Sequence, residues 1–138
     1  MKMKTIDFIE KVLQQIKPLN IKSQEMHDFI NSLKKEEYAL IRTVAIIGRS
    51  GWEKKYNDTT EYSSFIEESQ AHGEHVNDEI LDKKFLTEKG KREEVKVIYN
   101  QELRISSKFN GEYNYNSLSN NINLTSQIEK GLSLLKSI

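Results

Sequence analysis

Glu68, His72, His75 and Glu79 are the residues of this 138-residue chain whose types and spacing first suggest chemistry. On a continuous helix they fall at i, i+4, i+7 and i+11, a line of carboxylates and imidazoles along one polar side. Zn²⁺, Mn²⁺ and Fe²⁺ take such donors, and Glu67 and Asp78 stand near enough to support them. The stripe would serve a divalent-metal-dependent enzyme; without it the chain is expected to need no cofactor. The geometry requires the helix to continue through Gly73. The plainer alternative is two exposed histidines in an acidic segment.

A second candidate is "AIIGRSGWEKK", residues 45–55, where an apolar run meets Gly48, Arg49, Ser50, Gly51 and the single tryptophan, Trp52. Glycines let a phosphate approach backbone amides, and cations neutralise it. The stretch resembles the I-I-G-x-x-G turn of K-homology RNA-binding domains, which clamps single strands between two helices. That resemblance implies Gly48, Arg49, Gly51, Lys54 and Lys55 as contacts. However, Lys54 stands where the motif needs an apolar residue, and the polar "YNDTTEY" follows in place of an amphipathic helix. The structural alternative is a helix stop. One of the glycines takes the left-handed position after the last turn, Arg49 bonds the final carbonyls, and Trp52 folds over the helix end. The helix stop is the expected reading.

Other chemistries find less support. The chain has no cysteine, which excludes disulfides, thiolate zinc sites and cysteine nucleophiles. It has no G-x-S-x-G elbow and no P-loop lysine. Lys and Arg number 21, as do Asp and Glu, so the overall charge is not that of a protein that coats nucleic acid. The charge is segregated, however: residues 57–82 hold eight acidic side chains and no basic ones. Tyr113 and Tyr115 form either an aromatic platform or the outer face of a hairpin.

The elements that must position these residues read as helices. Ile6, Ile9, Leu13 and Ile16 predict a helix over 5–17, ended by Pro18. Met26, Phe29, Ile30 and Leu33 predict one over 23–34, with His27 off the apolar stripe and exposed. "EEYALIRTVAIIG" is apolar on nearly every face, with Arg42 its lone charge. Such a helix belongs at the centre of a bundle, here at 36–48. Helices at 60–71 and 125–136 follow from Tyr62, Phe65 and Ile66, and from Leu124, Ile128, Leu132 and Leu135. The first of these either breaks at Gly73 or runs on through Val76 and Ile80. Residues 95–117 read two ways. Val95, Ile98, Tyr99, Ile105 and Phe109 suit a helix, whereas Asn110-Gly111 is the favoured dipeptide of a type I′ hairpin turn. Asparagine and serine then dominate to 126, as in a polar loop.

"ALIRTVAIIGRSGW" and "LSNNINLTSQIEKGLSLL" together resemble a family of small uncharacterised bacterial proteins, the domain of unknown function 3775. Ile47, Gly48 and Arg49 match its first block, an apolar helix ending in Gly-Arg-Gly-Asp, with Gly51 where the family has aspartate. Leu118, Leu124, Ile128, Glu129, Gly131 and Leu132 match its second, which closes in Glu-Gly-Leu. The resemblance implies a helical domain and supplies no activity.

The expected architecture is therefore mostly α, a single domain over 1–138 built as a helical bundle around the central apolar helix. A small β-hairpin near 95–117 is the alternative for that stretch. No window reaches the roughly 20 apolar residues of a membrane span, and the N-terminus lacks the pattern of a signal peptide. With lysine, asparagine and isoleucine frequent, as in AT-rich bacterial genomes, a cytoplasmic bacterial protein is expected, without membrane attachment. The expected function is a non-enzymatic interaction module for another protein or a second copy. Its contact would be the acidic 57–82 segment or the Asn/Tyr loop. A single-stranded RNA-binding module acting through Gly48–Gly51 is the second reading, and the metal-dependent enzyme the third.

Overall fold

A computed structural model describes residues 3–54, 56, 59–113 and 118–138. The protein is mostly α, 73% helical with one two-stranded hairpin. The helices are α1 (Met3–Ile16), α2 (Gln24–Ser32), α3 (Lys35–Ser50), α4 (Thr60–Ala71), α5 (Asp78–Phe85), α6 (Glu88–Ile105) and α7 (Leu124–Lys136). Between α6 and α7 come β1 (Lys108–Phe109), β2 (Glu112–Tyr113) and a 3-10 turn, Leu118–Asn120. Where a single domain is expected from sequence, the contacts gather into two compact units: residues 1–51 with 95–138, and residues 52–94.

In the first unit α3 is the central helix. Tyr38, Ala39, Ile41, Thr43, Val44, Ala45, Ile47 and Gly48 are all buried, because an apolar surface on nearly every face must be covered on nearly every face. Its start is held by Glu37, whose carboxylate accepts from the Lys34 amide at 2.8 Å. The longest packed seam is with α7, which buries Leu124, Ile128, Leu132 and Leu135. α7 also packs antiparallel to α1, with Lys136–Glu10 at 2.7 Å and Lys17–Glu129 at 3.3 Å at opposite ends. These exposed ion pairs set orientation more than they stabilise.

Glycine is what lets α3 and α7 approach. A Cβ on Gly48 would overlap the Gln127 carbonyl oxygen and lie 2.7 Å from its carbon and 2.8 Å from Gly131 N. One on Gly131 would overlap the Val44 carbonyl oxygen and lie 2.9 Å from Val44 Cγ1. The two backbones therefore touch, Gly48 against Gly131.

The 95–117 stretch divides between its two readings. Residues 95–105 belong to α6, so the hairpin is confined to 108–113. Asn110 and Gly111 take φ of 53° and 80°, the pair of positive values that a type I′ turn needs. Tyr113 is not an exposed platform. It is buried, stacked on Tyr38 with ring centroids 3.7 Å apart, and its hydroxyl donates to the Leu33 carbonyl. Its amide donates to Asn31 Oδ1 at 2.9 Å, which ties the hairpin to the end of α2. Tyr115 lies outside the described residues. The expected polar loop tightens at 118–120, where Leu118 and Ser119 are buried. His27, expected to be exposed, is half-buried, its Nδ1 2.8 Å from Ser119 Oγ.

The second unit holds α4, α5 and the beginning of α6. Thr59 caps α4, accepting from the Tyr62 amide at 3.2 Å, and Asn77 caps α5, accepting from Ile80 N at 2.9 Å. Tyr56, Tyr62, Phe65 and Phe85 form an aromatic cluster with centroid separations from 5.3 to 6.0 Å. Tyr56 donates to Asp82 Oδ1, and burial, then that bond, push its hydroxyl pKa up to about 12.

Candidate functional site

The metal stripe is not assembled. α4 stops at Ala71, Gly73 turns away at φ 69°, and α5 begins only at Asp78. Glu68, His72, His75 and Glu79 therefore do not share a helix, and all four are exposed. His72 instead turns its Nδ1 to the Glu68 backbone carbonyl at 3.1 Å. Among the described residues no three acidic or histidine side chains come together around a common point.

The glycine clamp is not a loop. Gly48, Arg49 and Ser50 are helical, and the stop comes at Gly51, whose amide donates to the Ile47 carbonyl at 2.7 Å. Gly51 has φ 71° and ψ −170°, a conformation that glycine takes without strain but not the left-handed helical cap expected. Gly48 is sealed by α7, so no phosphate can reach its amide. Of the clamp's cations, Lys54 pairs with Asp82 at 3.3 Å, and Lys55 lies outside the described residues. Trp52 belongs to the second unit. Lys91 Nζ sits 5.8 Å from its ring centroid, and its Nε1 is buried with no hydrogen-bond partner among the described residues.

Arg49 does keep a role. Arg42, Ala45, Ile46 and Arg49 recur at i, i+3, i+4 and i+7 on α3 and form one wall of a cleft of about 190 Å³ in the first unit. α6 contributes Glu102, the 3-10 turn and the residue after it Leu118 and Asn121, and α7 Gln127.

The floor of the cleft is an ion pair. Arg42 Nε donates to Glu102 Oε2 at 2.6 Å, with side chains 20% and 9% exposed. Burial alone would lower the Arg42 pKa, but the Glu102 bond and charge, with Tyr38 adding to them, outweigh it and raise the value. The pair is thus charged and internally neutral. At the rim, Arg49 is exposed and has no hydrogen-bond or ion-pair partner among the described residues; in particular it does not bond the last carbonyls of α3.

The polar wall is ordered by a short relay. Asn121 Oδ1 accepts from the Asn123 amide at 3.0 Å, and Asn121 Nδ2 donates to Gln127 Oε1 at 2.8 Å. With its oxygen engaged, Gln127 has its NH₂ left to donate. The Asn123 side chain makes no cap bond to α7, and the positive end of that helix dipole lies one turn before Gln127. The cleft combines one cation unmatched among the described residues, one amide donor and a small apolar surface at half-buried Ile46.

Of the residues singled out from sequence, Gly48 positions the helices, Arg49 faces the cleft, and Gly51 ends α3. Glu102, Asn121 and Gln127 carried no local signal. The α3 stripe of two arginines around two apolar residues did. No family model, characterised protein or solved structure matches the chain. The sequence blocks containing Gly48 and Gly131 meet in the fold at the crossing of α3 and α7.

Proposed function

We propose that this chain is a non-enzymatic interaction module of a bacterial cytoplasm that recognises a protein partner through the first unit's cleft. The observation that carries the reading is Arg49, a cation without a partner among the described residues at the rim of a cleft whose other charges cancel. A guanidinium so placed offers a planar set of donors to an acidic group. The other two readings lack their machinery. An RNA clamp needs Gly48 uncovered, and a metal-dependent enzyme needs the His72/His75 stripe on one helix. No helix of the described residues is long and apolar enough to cross a membrane.

The test is affinity capture from native lysate, with and without ribonuclease, comparing the protein with Arg49→Glu. Partners held through ribonuclease and lost with Arg49→Glu support the reading. Reversal of Glu67, Glu68 and Glu74 to lysine is the control. Partners that follow those charges, or that disappear with ribonuclease, overturn it.

A further inference from the structure

We infer that the cleft binds a single carboxylate carried on a short apolar body, with Arg49 and the Gln127 side-chain amide as its donors. The inference rests on the cleft being the recognition site and adds the chemistry of what enters it.

Charge decides between anions. Arg42 is already matched by Glu102 at 2.6 Å, which leaves one excess positive charge, that of Arg49. A monoanion cancels it. A phosphate dianion would leave a negative charge beside the buried Glu102 carboxylate, where water screens poorly and like charges repel most. The partial charges of the α3 C-terminus and the α7 N-terminus oppose one another here and leave that order unchanged.

Donor geometry points the same way. A carboxylate accepts along two oxygens and suits one guanidinium and one amide NH₂. The Asn123–Asn121–Gln127 relay holds the amide by its oxygen, which leaves both NH₂ hydrogens to donate to a ligand. Size and lining give the rest of the molecule. A space of about 190 Å³ corresponds to roughly six water volumes, which suits a carboxylate with a few carbons. Half-buried Ile46 presents the apolar surface those carbons would cover, with Ala45 and Leu118 buried behind it. Two sources share this chemistry: a free short-chain acid, and a glutamate or terminal carboxylate of a partner protein.

The experiment is an NMR titration of the isotope-labelled full chain, following the Arg49 Nε–H and Gln127 side-chain amide resonances. The probes are butyrate, its neutral analogue butyramide, inorganic phosphate, and a blocked Gly-Glu-Gly tripeptide. Saturable shifts of both resonances with butyrate or the tripeptide are expected, with none from butyramide or phosphate. Arg49→Gln should weaken the binding at least tenfold without changing the melting temperature, because the side chain is exposed and bonds nothing within the described fold. Tighter binding of butyrate identifies a free acid as the source, and tighter binding of the tripeptide identifies a protein. Phosphate shifts equal to those of butyrate, or no shift from either carboxylate, overturn the inference. Carboxylate binding alongside unaltered partner capture by Arg49→Glu would retain the inference and remove the protein-partner function. Partner loss without any carboxylate shift would do the reverse.

Discussion

Alanine at Gly48 or Gly131 gives a test in which two physical effects have opposite signs. In a helix interior, glycine to alanine is favourable by about 1 kcal/mol through propensity. Against it stands the crossing. The new Cβ at position 48 would sit 2.7 Å from the Gln127 carbonyl carbon, where carbon pairs prefer about 3.5–4.0 Å. The helices must therefore part by about 1 Å. The obstructing atoms are backbone at both positions, so no rotamer change relieves them. A gap of that size forfeits about a quarter to a half of each dispersion contact across it. The seam includes buried Val44, Ile128 and Leu132.

Overpacking of ordinary cores costs about 1–3 kcal/mol, and a backbone-to-backbone clash belongs at or above the top of that range. Net of propensity, each alanine should destabilise by roughly 2–4 kcal/mol. Urea unfolding followed by circular dichroism measures this directly as a fall in midpoint at constant slope. Gly90→Ala is the control. Its Cβ would meet only the Thr87 hydroxyl, at 3.1 Å, so stability should stay near the original value or rise. If Gly48→Ala or Gly131→Ala matches the parent protein, propensity has won and the close crossing is wrong.

Three further outcomes are expected. Arg42→Met leaves Glu102 buried and unpaired and should cost about 2–4 kcal/mol, while Arg42→Met with Glu102→Leu should recover most of that; additive losses in the double-mutant cycle would show that the pair is not coupled. Tyr56 has a folded pKa of about 12 against an unfolded value near 10. Its contribution is whole below pH 10 and is lost as pH rises towards 12. The stability gap between the protein and Tyr56→Phe should therefore narrow from pH 9 to pH 12, and a constant gap would contradict the part-buried Tyr56–Asp82 bond. Excess Zn²⁺ should leave the melting temperature unchanged in both the protein and its His72→Ala/His75→Ala variant, since the residues occupy separate segments. A Zn²⁺-dependent rise abolished by that variant would show the stripe assembling after all.

Where one face of a helix is apolar and its caps are local, the sequence was enough. The 3.6-residue spacing marks α1, α2, α4 and α7 to within two residues at either end. The all-round apolar run of α3 reports its burial. Asn110-Gly111 reports its turn because the required positive φ values are a property of those two residues alone. α6 was harder to read for a physical reason. Val97 and Ile105 are exposed while Glu102 is buried, so its apolar pattern does not trace its buried face. The burial of Glu102 is explained only by Arg42, 60 residues away. His27 likewise looked exposed because Ser119, which bonds it, is 92 residues along the chain.

Gly48 shows the same limit at a single residue, and it links the fold to the site. A glycine near a helix end has the same local signature whether it stops the helix or lets a neighbour approach. The deciding atom is the Gln127 carbonyl on another helix. That atom belongs to a residue that lines the cleft, as Arg49 does. The absence of a Cβ on Gly48 thus sets how near the Gln127 amide stands to the Arg49 guanidinium, one residue along α3. The two sequence blocks containing Gly48 and Gly131 are far apart in the chain but describe one contact. A side chain at either glycine would widen the crossing and separate the two donors in the same displacement, so seam stability and cleft affinity should fall together.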